Sequence, residues 1–271
     1  MKKTALWIMF LTVISIGTLT TALNVRWAKA ISGTIYIAPD GSISPPNANI
    51  TTSDHIMYTF TGNNYLPIIV NRSNIIINGK GRTLQASGSN GFSLSRVSNV
   101  TNKNTFIARS EYGISVDSSD QNTLSGNKIT ANNEVGIYLH SSSNNVLSGN
   151  DVTANSNVGI YVVSSSNSVL YDDNVTGNGG DGVDLAPSSG SILCYNNITA
   201  NGGDDICLWA SSSNVLSCNN VVANDHNGIA LDDSSGNRIF HDCFSDNTQQ
   251  TWLWLNSTNT WDDGYPSGGN Y

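Results

Sequence analysis

The sequence predicts an all-β solenoid, a parallel β-helix with 23-residue coils. Three observations carry that prediction: a marker residue that returns every 23 positions, aliphatic columns that return with it, and no helical apolar stripe in any ten-residue window. The marker is Gly113, Gly136, Gly159, Gly182 and Gly228, with Asp205 standing where the fifth of six glycines belongs. One position later come Ile114, Ile137, Ile160, Val183, Ile206 and Ile229, and two further Val116, Leu139, Val162, Leu185, Leu208 and Leu231. Leu124, Leu147, Leu170, Leu193, Leu216 and Ile239 form a third aliphatic column, and Ile129, Val152, Val175, Ile198, Val221 and Phe244 a fourth, apolar one.

The unit reads roughly G-I-x-L, a Ser/Asn tract, then x-L-S-G-N-x-I-T-A-N. Apolar residues alternate with polar ones and turn residues separate the runs, so each coil holds about three short strands. Helical-pair repeats need a 3.6-residue stripe that is missing, and leucine-rich repeats need a denser leucine pattern. Coils of a parallel β-helix stack roughly 4.8 Å apart, so each aliphatic column becomes a continuous inward row. The column Asn132, Asn155, Asn178, Asn201, Asn224 and Asn247 is expected to form a hydrogen-bonded side-chain ladder at a turn. Neighbouring coils bury what one coil cannot bury alone.

In chain order, residues 1–30 read as a signal peptide. Lys2 and Lys3 precede an apolar run from Ala5 to Leu23, and Ala28-Lys29-Ala30 is an A-x-A cleavage site. The run also has the length of an uncleaved anchor, and Arg26 and Lys29 lie between it and the cut. Both readings place the mature domain outside the cytoplasm, secreted or at the cell surface and not inserted in a membrane. Residues 31–66 are expected to be an N-terminal capping segment and 67–250 the β-helix proper, its less regular start at Ile68–Tyr112 giving about two coils. Residues 251–271 are expected to be a C-terminal cap and tail. Caps cover strand edges that would otherwise offer themselves to another molecule.

A net charge of −8 with only 12% charged residues argues against nucleic acid as a partner. Cationic ligands, metal ions or neutral glycans fit that balance. The four cysteines lie in the last three regular coils. Cys194 and Cys218 are one coil and one residue apart, roughly 6 Å by strand geometry, and are the candidate disulfide. None forms a CxxC pair, which argues against zinc or thioredoxin-like chemistry.

Alternation in G-I-x-L-x leaves two outward columns on one sheet: Ser115, Tyr138, Tyr161, Asp184, Cys207, Ala230, and Asp117, His140, Val163, Ala186, Trp209, Asp232. Tyr138, His140, Tyr161, Trp209 and Asp232 are the candidate ligand-binding residues. Aromatic faces stack on sugar rings while carboxylates accept hydroxyl protons; surface tyrosines also suit β strands for their own sake. Asp181 and Asp204 fall in register, with Asp205 in the marker column and Asp184 beside them. Carboxylates stacked roughly 5 Å apart repel unless something intervenes. A calcium ion held by Asp181, Asp184, Asp204 and Asp205 is one resolution, and Gly179-Gly-Asp-Gly-Val-Asp184 matches the start of a calcium-binding nonapeptide. A raised-pKa set is another, which would make Asp181, Asp184 and Asp204 catalytic acid–base candidates. Solvated turn aspartates are the third. An enzyme is also expected to set Lys or Arg over the acids, and the regular coils hold only Lys128 and Arg238, both far from Asp184 along the stack. Noncatalytic binding of a polysaccharide, a cell-surface glycan or another surface partner therefore ranks ahead of a carbohydrate-active enzyme such as a lyase, hydrolase or epimerase.

The unit Gly136-Ile-Tyr-Leu-His-Ser-Ser-Ser-Asn-Asn-Val-Leu-Ser-Gly-Asn150 resembles the repeat of NosD-type right-handed parallel β-helix proteins. Asn74-Ile-Ile-Ile-Asn-Gly79 is similar to that family's first coil, and Trp261-Asp-Asp-Gly-Tyr-Pro-Ser-Gly-Gly-Asn270 to a tail of archaeal secreted members. The resemblance implies a single-stranded, right-handed helix of the pectin-lyase-like superfamily. In the relatives the chain commonly continues past this tail, so the resemblance carries the expectation that Tyr271 is a truncated end. The family's namesake is a periplasmic factor in copper-site maturation, and the wider superfamily holds lyases and epimerases, so fold alone selects no chemistry. Copper wants His, Met or Cys converging on one point. His55, His140, His226 and His241 fall in different columns, and metal handling is the lesser alternative.

Overall fold

A computed structural model describes residues 33–254, 257–264 and 268–270. The expected signal peptide or anchor lies outside the described residues. The rest is an all-β, right-handed parallel solenoid of about nine coils. Among the described residues no helix is long and apolar enough to cross a membrane.

Each regular coil gives three strands, for example Ile137–His140, Val146–Ser148 and Asp151–Thr153. They stack into three sheets of 11, 10 and 8 strands, called here the first, second and third in the order the chain visits them. The 23-residue period is the register itself: Ile137 pairs Ile160, Leu147 pairs Leu170 and Val152 pairs Val175. Every member of those three columns between Ile114 and Ile239 is fully buried, so the apolar rows fill the bore continuously.

The corners explain the Ser and Asn content. The chain turns through left-handed residues, such as Ser141, Asn144, Gly149 and Ala154 in one coil, and beside them inward polar side chains take up amides that leave the sheet ladders. In the expected asparagine ladder Asn155 Oδ1 accepts both the backbone N–H of Asn132 at 3.1 Å and its side-chain amide at 2.9 Å. Asn155 and Asn178 repeat the pattern one coil on. A second ladder runs Asn127, Asn150, Asp173, Asn196, Asn219, Asp242. A third uses serine hydroxyls from Ser119 to Ser234. The marker glycine is a matter of space: a Cβ on Gly136 would sit 2.5 Å from Val152 Cγ1 and 2.8 Å from Asn155 Nδ2.

The parallel ladder reaches past residues 67–250 at both ends. Ile35–Ile37 pairs in parallel with Ile68–Val70, and Leu253 pairs with Leu231. At the leading end Ile43–Ser44 and Ile50–Thr51 run antiparallel along the outermost strands of the first and second sheets. All four cysteines are free thiols, which corrects the expected Cys194–Cys218 bridge. Cys194 stands opposite Ser217, while Cys218 lies in the following left-handed corner at φ 58°, next to the Tyr195 side chain.

Candidate functional site

The outer face of the first sheet is built by the register. Tyr138 stands beside Tyr161, Tyr161 beside Asp184, Asp184 beside Cys207, and the column continues through Ala230 to Trp252. Inward aliphatic neighbours on both sides of each residue fix these side chains outward. The Tyr112 and Tyr138 rings stack at 5.3 Å and 30°, and Tyr138 meets Tyr161 at 5.7 Å and 44°. The His140 ring lies nearly parallel to Tyr138 at 6.0 Å, held by Asp117 Oδ1 2.8 Å from its Nδ1. Burial, and after it the Asp184 carboxylate, pushes the Tyr161 phenol up. Trp209 and Asp232 pair in the second column, separated from His140 by Val163 and Ala186 and followed by Trp254. The structure thus gathers Tyr138, His140, Tyr161 and Asp184, and sets Trp209 and Asp232 farther along the same face.

The aspartates diverge. Asp181 Oδ1 accepts the backbone N–H of Asp204 at 2.8 Å. Asp204 Oδ1 accepts the backbone and side-chain N–H groups of Asn227 at 3.0 and 2.7 Å and lies 3.0 Å from His226 Nδ1. Asp205 turns inward to the side-chain amides of Asn201 and Asn224. Asp184 alone keeps a buried oxygen, Oδ1, with no hydrogen-bond partner. Burial, reinforced by Asp181 and Asp204, pushes its carboxyl up to about 7. Among the described residues no three His, Cys, Asp or Glu side chains are placed to hold a metal ion, so the expected calcium cluster is not assembled. The reason is that Asp205 serves the interior and Asp181 and Asp204 fasten coil to coil.

Beyond Asp204 a cleft of about 380 Å³ is lined by Asp204, His226, Asn227, Thr248, Gln249 and Trp252. Sequence reasoning missed Tyr112, His226 and Trp252 as parts of this face. Tyr112 precedes the first regular marker, and Trp252 lies 22 rather than 23 residues beyond Ala230, so column counting loses both.

Residues 35–190, more than half the chain, match the family model described as right handed beta helix region. The chain therefore belongs to the right-handed β-helix family. Residues 157–271 match the model of the periplasmic copper-binding protein NosD, which makes this a NosD-type member. No curated protein matches the chain. Among solved structures it is similar to the A-module of mannuronan C-5 epimerase AlgE6 from Azotobacter vinelandii, with a TM-score of 0.61 and 16% identity over 71% of this chain and 58% of that one. A point mutant of the periplasmic alginate epimerase AlgG matches with a TM-score of 0.55 and 16% identity, over 84% of this chain and 83% of that one. The alginate lyase from Paenibacillus sp. str. FPU-7 matches at 0.50 and 14% identity, over 76% and 90%. At these identities the likeness is one of fold.

The described residues do not fit a copper site of the kind that family description names. Each histidine has its own separate partner: His55 the Gly41 carbonyl, His140 Asp117, His226 Asp204 and His241 Asp263.

Proposed function

We propose that this chain is an extracytoplasmic, noncatalytic carbohydrate-binding protein that takes a glycan along the outer face of its first sheet. The observation that carries the reading is the run of rings Tyr112, Tyr138 and Tyr161 ending at Asp184, whose Oδ1 lacks a partner. Ring faces stack on the apolar faces of sugars, and phenol and carboxyl groups exchange hydrogen bonds with hydroxyls. An extracytoplasmic place is supported by the targeting signals of residues 1–30 and by the periplasmic description of NosD. A glycan ligand is supported by the names of the alginate enzymes that share the fold. The test is a glycan array followed by calorimetry on the full chain. Tyr161→Ala and Trp209→Ala should each weaken the hit roughly tenfold, the scale of one lost aromatic platform, with the melting temperature kept. Unchanged affinity in both variants removes the reading.

Catalysis is the second reading, favoured by the raised Asp184 carboxyl beside the Tyr161 phenol. Groups poised near neutrality serve as acid and base. Incubation with neutral and acidic polysaccharides, scored for chain shortening, unsaturated ends and epimerised residues, tests it. Turnover that Asp184→Asn abolishes while binding persists would replace the first reading.

A further inference from the structure

We propose a second ligand site, on a different corner of the solenoid from the aromatic face, that reads the carboxylate of an acidic sugar. The turn between the second and third sheets opens there into a cleft of about 680 Å³, lined among others by Asn78, Lys80, Asn104, Phe106 and Lys128. It spans three successive coils, because Thr83, Phe106 and Lys128 are neighbours in register on the third sheet. Adjacent coils stack roughly 4.8 Å apart, so the cleft is about 10 Å long. That length suits one or two sugar rings and not an extended polymer.

Missing side chains open the cleft. Gly81 and Gly126 turn this corner with φ of +70° and +60°, and a Cβ on Gly81 would meet nothing within 4 Å. Gly149 leaves the same position open one coil on, and beyond it the position is filled by Asp172, Tyr195 and Cys218, all left-handed as well. The space is therefore confined to the early coils.

Its charge runs against the rest of the molecule. The chain carries a net −8, yet Lys80 and Lys128 line this one cleft, with Arg82 and Lys103 next to its lining residues in the chain. Among the described residues the one carboxylate paired with these bases is Asp151, 3.2 Å from Lys128 Nζ, and Asp151 also accepts the Asn174 amide at 2.8 Å. Lys80 has no ion-pair partner among the described residues. The half-buried Phe106 ring lies in register beside Lys128. Asn104 reaches Asn78 Oδ1 only at 3.5 Å, which leaves that amide available to a ligand hydroxyl. Cation, ring face and amide together are what a uronate-type sugar needs: an ion pair for the carboxylate, a platform for the ring and hydrogen bonds for the hydroxyls. A nucleic acid would need a long basic track, and the acidic remainder of the surface repels it.

The experiment is calorimetry on the full chain with a short linear oligouronate and with the same oligosaccharide after carboxyl reduction. The oligouronate should bind, the reduced form should bind at least roughly tenfold more weakly, and Lys80→Gln should cost a similar factor, the scale of one charge-assisted hydrogen bond. Lys128→Gln should act likewise, and added salt should weaken binding. Equal affinity for the reduced oligosaccharide, indifference to both lysine changes, or equal binding of a single-stranded DNA oligonucleotide would each overturn the proposal. Loss in Tyr161→Ala but not in Lys80→Gln would place the uronate on the aromatic face and overturn it too.

Discussion

Asp205 accepts the side-chain amide of Asn201 at 2.7 Å, in the role that the next asparagine plays elsewhere in the ladder. One coil earlier Asn178 gives the same amide hydrogen to Asn201 Oδ1 at 3.0 Å. The carboxylate reaches the ladder because Asp205 occupies the marker-glycine column, and its other oxygen takes the Asn224 amide. Burial pushes this carboxyl up to about 8.

Asp205→Gly should therefore stabilise the protein, and more at pH 9 than at pH 5. In the unfolded chain Asp205 titrates near the ordinary aspartate value of 3.8. The folded state holds the extra proton between there and about 8, so the contribution of Asp205 falls with rising pH across that window and levels off above it. Melting curves at pH 5, 7 and 9 check this. A variant that loses more stability at pH 9 than at pH 5 contradicts it.

Asp173 and Asp242 interrupt the second asparagine ladder. Each accepts two N–H groups from the preceding asparagine through Oδ1 and leaves a buried Oδ2 without a partner. Burial raises Asp173 to about 7 and Asp242 to about 6. Replacing both by Asn should flatten the loss of stability between pH 4 and pH 8, since native proton uptake at these sites disappears. A melting temperature with the same pH slope in the double variant would refute the assignment.

Leu170 is fully buried between Leu147 and Leu193 in register. Leu170→Ala should cost about 2–5 kcal/mol in urea unfolding, because a rigid row cannot close the space. Ile160→Asp should do worse, stranding a carboxylate with no partner. A loss below about 1 kcal/mol for Leu170→Ala would mean the bore collapses freely.

Cys207 sits on the outer column beside Asp184, and burial together with the nearby acids pushes its thiol well above the usual range. Alkylation by iodoacetamide at pH 8, followed by peptide mass mapping, should find it the slowest of the four cysteines, because the thiolate is the reactive form. The unreduced native protein should show four free thiols. A bridged Cys194–Cys218 peptide would reverse the structural assignment.

The fold was legible because the interior is periodic: a column such as Ile137, Ile160 and Val183 repeats only if each member faces the same neighbours. The first asparagine ladder was legible for the same reason. The second was not, since Asp173 and Asp242 break its letter code while keeping its geometry. On the site, spacing placed Tyr138, Tyr161 and Asp184 on one face. It did not reveal that Asp205 turns inward or that Asp204 is occupied by Asn227, since one-residue differences in direction at a corner leave no trace in the period. The cysteine pair failed likewise, because a Cα separation does not give the direction of a side chain in a left-handed turn.

A surface that repeats with every coil has no origin, and a linear polymer shifted along the axis by one coil would find an equivalent seat. Tyr138 and Tyr161 by themselves form such a surface. The step from Tyr161 to Asp184, and then to Cys207 and Ala230, ends the equivalence. It gives the face a fixed phase and a sense of direction, so that a bound polymer would be held at one position with its two ends distinguished.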